Sequence, residues 1–131
     1  RPPHPRSGTS SDRLLTVARA IEAGDHRVRA LAAVSDVLSE AERPAVIAEA
    51  LRAAHSVEDP ACRASALTTV ATHSAPADQG WLADEVIASA RTCTDPLDRL
   101  WALAGICIVA SQERRTAVAA EISRCSRRCR R

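Results

Sequence analysis

Apolar residues along this chain fall at the three- and four-residue spacings of a helix face, in segments interrupted at regular distances. Leu14, Leu15, Val17, Ala18 and Ile21 share one face, and Gly24-Asp25 supplies the turn that ends that helix. Val28, Leu31, Val34, Val37 and Leu38 mark a second helix. It is closed by the polar stretch 39–43 and by Pro44, whose fixed φ suits the first turn of the next helix. The plan then repeats. Val46, Ile47, Ala50, Leu51, Ala54 and Val57 define another first helix, and Asp59-Pro60 opens its partner over about 61–72, with Asp as N-cap and Pro at the first helical position. Asp95-Pro96 does the same further on. The pattern predicts an interior loop over 73–80, around Pro76 and Gly80, and a last helix over about 116–125, with Val118 and Ile122 in the places of Leu82 and Val86.

The repetition has a fixed period. Arg27, Arg63 and Arg99 are separated by 36 residues, as are the pairs Ala30-Leu31, Ala66-Leu67 and Ala102-Leu103. Val34, Val70 and Ile106 keep the same step, as do Ala18, Ala54 and Ala90, and Ile21, Val57 and Cys93. A unit of this length cannot bury its apolar face alone and is expected to stack on copies of itself. The predicted fold is therefore all-α: a right-handed α-solenoid of two-helix repeats with a 36-residue period, about three repeats plus one terminal helix. Residues 1–11, rich in Pro, Ser and Gly, are expected to be a disordered N-terminal segment. Residues 12–123 form the helical-repeat domain and 124–131 a basic C-terminal tail. A fourth unit without its second helix, and a first residue other than Met, read as a fragment of a longer chain.

Composition refines this picture. The chain has no Phe, Tyr or Met, and Trp81 and Trp101 are its only aromatic residues. Its apolar mass is mostly Ala with Leu, Val and Ile, so the core is expected to rest on close helix approach and many modest contacts. All 18 basic residues are Arg; five of them, Arg124, Arg127, Arg128, Arg130 and Arg131, lie in the tail without an acid, which leaves the body mildly acidic. The longest apolar run, Leu100 to Ala110, is 11 residues, short of the roughly 20 needed to cross a bilayer. With no signal-type segment at the start, a cytoplasmic home is expected.

Catalytic and metal chemistry find little to use. The four glycines, at 8, 24, 80 and 105, stand alone rather than in a phosphate-binding loop. His26, His55 and His73 are spread over separate elements, and no carboxylate pair is set among apolar neighbours in a way that tunes a catalytic pKa. The expectation is no intrinsic catalysis, no cofactor and no metal. Five cysteines argue against a closed disulfide framework. Cys62, Cys93 and Cys107 read as small core residues. Cys125 and Cys129, without a second ligand pair, do not make a zinc site.

The segment Asp25-His26-Arg27-Val28-Arg29-Ala30-Leu31-Ala32, a turn Asp followed by Arg, Ala and Leu on the next helix, resembles the HEAT-type repeat, and Asp59…Arg63 and Asp95…Arg99 fit the same pattern. The resemblance covers roughly residues 12–123. It implies that second helices line a concave face and that Asp59 and Asp95 with Arg27, Arg63 and Arg99 form a structural ladder between neighbouring repeats. Asp25 departs from the pattern, lying 34 rather than 36 residues before Asp59. Such arrays are similar to scaffold and sensor regions of large bacterial signalling proteins, which implies as partner another protein or other domains of the same parent chain.

Binding surfaces are sought where repeat positions vary. The position of Arg29 and Ser65 holds Trp101, and that of Asp36 and Thr72 holds Ile108. Trp101, Gly105 and Ile108 share a face that is polar in the first unit, so they are the candidate protein-binding residues. The other reading is that this face packs locally on the final helix. Arg19, His55, Arg91 and Arg127 share a second register. They form either a weak positive stripe or a solvated face paired locally, through Glu22 and Glu58 three residues on. The alternative function is nucleic-acid or other polyanion binding through Arg124, Arg127, Arg128, Arg130 and Arg131. Against it stand the acidic body and the lack of aromatics among these arginines.

Overall fold

The computed structural model describes residues 10–107 and 112–129, with backbone only at 112–114, 117, 125–126 and 128–129. These residues form seven helices and no strand: α1 Ser10–Ala20, α2 Gly24–Ser35, α3 Arg43–His55, α4 Pro60–His73, α5 Pro76–Arg91, α6 Pro96–Ile106 and α7 Gln112–Cys129. Residues 1–9 of the expected N-terminal segment, with Ile108, Arg130 and Arg131, lie outside them, as does the side chain of Arg128.

Helix starts follow local chemistry. The Asp59 carboxylate accepts from the Cys62 N–H at 2.9 Å, and Asp95 accepts from Leu97 N–H at 2.9 Å, each satisfying a donor that the first turn leaves open. That hydrogen bond from Cys62 holds the Asp59 carboxyl below the usual carboxylate range. Pro occupies the first or second position of α3, α4, α5 and α6. Before α3, Ser39 Oγ donates to the Glu42 carboxylate at 2.9 Å and accepts from Glu42 N–H at 3.3 Å. The loop expected over 73–80 is not there. Ser74 and Ala75 alone connect α4 to α5, because Pro76 begins a helix as Pro60 and Pro96 do, and Gly80 is carried in its second turn. One glycine costs a helix only about 1 kcal/mol, less than α5 gains from packing.

Each helix packs on its neighbours in sequence, and α2, α4 and α6 also pack side by side, which places α4 against α2, α3, α5 and α6. One core runs through them. Leu31, Leu67 and Leu103 are fully buried in it, with Val28, Val70, Ile106, Leu82, Val86 and Val118. Alanines fill the remainder: Ala32, Ala50, Ala54, Ala64, Ala71, Ala83 and Ala90 have no exposed surface. Leu14 and Val17, expected in the core, are exposed, since α1 packs mainly on α2, and Val37, just past the end of α2, is exposed while Leu38 beside it is buried. Cys62 is exposed as well, in the first turn of α4, whereas Cys93 is buried and Cys107 half-buried. No helix among the described residues is long and apolar enough to cross a membrane.

Candidate functional site

Side-chain contacts sort the predicted residues into those holding helices together and those facing solvent. Arg27 donates to the carbonyl of Ile21 at 3.3 Å, Arg63 to that of Val57 at 3.1 Å, and Arg99 to that of Cys93 at 2.7 Å. The three bonds are the same bond, from α2, α4 and α6 back to the turn each helix leaves. Arg63 reaches further, to Glu58 O at 3.2 Å, Ser89 Oγ at 3.2 Å and Thr92 Oγ1 at 3.5 Å, and so ties α4 to the end of α5. Arg99 Nε is buried without a partner. Among the described residues no ion pair joins Asp59 or Asp95 to these arginines; the two carboxylates serve as N-caps.

The register of Arg19, His55 and Arg91 is neither free nor locally paired. Arg19 Nε lies 2.9 Å from Glu49, His55 Nε2 lies 2.7 Å from Glu85, and Arg91 Nε lies 2.8 Å from Glu121. Each partner is 30 residues ahead, on the next odd-numbered helix. The bond from Glu49 raises the pKa of Arg19 above its ordinary value. These acids repeat with the 36-residue step too, a signal open to anyone searching the acids for the period already found in the bases. Arg124 lies 3.9 Å from the Glu121 carboxylate that Arg91 also engages, and Arg127 is exposed. The C-cap contacts recur in the same way: Arg43 donates to Ser35 O at 3.0 Å and Gln79 to Ala71 O at 3.2 Å.

The candidate binding residues lie on the solvent-facing side of α6. Trp101 is 75% exposed and Leu97, one turn earlier, is 55% exposed. Trp101 is therefore not packed on α7. Sequence reasoning missed Leu97, although its counterparts are Ala61 and Asp25, the same departure from the repeat that singled out Trp101. Gly105 stands over α4: a Cβ there would meet Thr68 Cγ2 at 3.8 Å, ordinary contact, so the glycine leaves a shallow furrow rather than avoiding a clash. The furrow between α4 and α6, about 310 Å³, is lined by Ser65, Thr68, Thr69, Asp98, Trp101 and Gly105 with two alanines. The other tryptophan borders a larger groove of about 550 Å³ between α3 and α5, where Ile47, Leu51, Val70 and Leu82 form an apolar floor. There Trp81 Nε1 donates to Asp78 at 3.1 Å, and His73 is bonded to Asp36 at 2.9 Å.

The exposed thiol of Cys62 has its pKa raised, first by its hydrogen bond to Asp59, then by burial and by the charges of Asp59, Asp25 and Asp98. It is thus held in the unreactive protonated form, on a negatively charged edge made by the first turns of α2, α4 and α6. The described residues contain no group of three or more His, Cys, Asp or Glu placed to hold a metal ion. No family model, curated protein or solved structure matches this chain.

Proposed function

We propose that this protein is a protein-protein interaction scaffold, a short right-handed solenoid of HEAT-like two-helix units with a 36-residue period, without catalysis of its own, working in the cytoplasm. Support for the stacking comes from contacts that recur at that step: the back-bonds of Arg27, Arg63 and Arg99, and the rungs Arg19–Glu49, His55–Glu85 and Arg91–Glu121. Rungs join odd-numbered helices through long side chains, while even-numbered helices touch directly. An array built so curves toward its even-numbered row, which puts Trp101 on the inner face.

The observation that carries binding is the exposure of Leu97 and Trp101 on one stripe of α6. A large exposed aromatic beside an aliphatic residue has the composition of an interface anchor, where a few residues supply most of the affinity. The partner is another protein or a further domain of the same parent chain. Affinity capture with the immobilised chain from extract of the source organism, followed by identification of the bound protein, tests this reading. Trp101→Ala is expected to weaken capture by at least about tenfold, with the helical circular dichroism unchanged. Full capture by the variant would contradict it.

A further inference from the structure

We propose that the furrow between α4 and α6 is a guanidinium site, which takes an arginine side chain of the partner between the ring of Trp101 and the carboxylate of Asp98. The inference rests on the docking surface just described and adds the chemistry of what docks.

The acceptors lining the furrow, Thr68, Thr69 and Asp98, suit a donor-rich cation. Thr68 commits its hydroxyl proton to Ala64 O at 2.8 Å and Thr69 commits its own to Ser65 O at 3.1 Å, so each has only lone pairs left for a ligand. Among the described residues Asp98 is the only charged one lining the furrow, and no hydrogen bond or ion pair engages it. As a carboxylate it only accepts hydrogen bonds. Trp101 sits one turn on, its ring the flat negative surface over which a cation is attracted. Guanidinium matches all three features, being planar, always charged, and a donor of five N–H groups with no acceptor. A lysine ammonium would satisfy Asp98 but could not both stack on the ring and reach the threonine shelf. An anionic or purely apolar partner would cover Asp98 without compensating its charge.

Neighbouring features agree. Asp25 and Asp59 reinforce the negative edge beside the furrow. The protein's own Arg29, the counterpart of Trp101 on α2, brings its Nη2 to 3.5 Å from the Oγ of Ser65, which also lines the furrow. A guanidinium of this chain thus already turns toward the oxygen-bearing face of α4.

A Trp81→Phe variant makes Trp101 the sole tryptophan and its fluorescence the reporter. The probes are blocked peptides of alternating glycine and arginine, and the same peptides with lysine or with citrulline, which keeps the shape of arginine but not its charge. The arginine peptide is expected to change the fluorescence saturably, the lysine peptide more weakly and the citrulline peptide not at all. Asp98→Asn, which removes charge without changing shape and leaves the Asp95 cap in place, is expected to weaken the arginine peptide about tenfold. Equal binding of citrulline and arginine peptides, an Asp98→Asn variant that binds as before, or no saturable change with any peptide would overturn the cation site. Partner capture that needs Trp101 but ignores Asp98→Asn would leave the apolar docking surface standing without it. Capture indifferent to Trp101→Ala would remove both.

Discussion

Leu67→Ala is expected to destabilise the chain by about 2–5 kcal/mol, the range for emptying a buried leucine site whose surroundings relax only in part. Leu67 is 1% exposed, on the helix that packs against α2, α3, α5 and α6, so truncation opens a cavity inside the shared core. The core around it offers little to collapse into the space, since many of its members are alanines with no rotamers to adjust. Domains of this size have stabilities toward the low end of about 5–15 kcal/mol. The urea midpoint of the variant should therefore fall by a large fraction of its wild-type value. Leu97→Ala on the exposed stripe provides the contrast, with an expected change within about 0.5 kcal/mol. A Leu67→Ala loss no larger than the Leu97→Ala loss would contradict the assignment of the core.

Arg63→Ala is expected to cost about 1.5–3 kcal/mol, the span for hydrogen bonds made by a charged donor. Arg63 bonds to two turn carbonyls, those of Val57 and Glu58, and to the buried hydroxyl of Ser89 on the next helix. Removing it strands these acceptors and unties α4 from α5. Arg27 makes a single, longer bond of this kind, at 3.3 Å, so Arg27→Ala should cost less. Arg63→Lys should not restore stability, because a single ammonium cannot reach carbonyls and hydroxyl together. Urea unfolding of the three variants checks the order; Arg27→Ala costing as much as Arg63→Ala would contradict it.

The sequence made the helices legible because their punctuation is local. Asp59-Pro60 and Asp95-Pro96 state both cap and first turn, and the spacing of Leu31, Leu67 and Leu103 marks one buried face that the coordinates also bury. Pro76 was harder to read. Without an Asp before it, and with Gly80 close behind, it looked like a loop, yet proline's fixed φ serves a helix start whatever precedes it. The rungs were illegible for another reason. Spacing in a sequence reveals pairs three or four residues apart on one helix, whereas Arg19 meets Glu49 across the gap between α1 and α3. Cys62 departs from the expected core position because a cysteine in a first turn can face solvent as readily as the core. For the candidate site, Trp101 stood out as a break in the repeat, and Leu97, a weaker break at the same kind of position, did not. The furrow beside them depends on which hydroxyl protons are already committed, and no spacing rule reveals that.

The claim on which the rest depends is that successive helix pairs are related by one constant step. Spin labels at positions 19 and 91, and separately at 55 and 127, measure two such steps from different starting points, in a chain with its five cysteines changed to alanine. The labels remove rungs worth only about 0.2–1 kcal/mol each, so the fold should tolerate them. Double electron–electron resonance should then give two narrow distributions centred on the same separation, on the order of 20 Å. Two different separations, or a broad distribution for either pair, would contradict the stack.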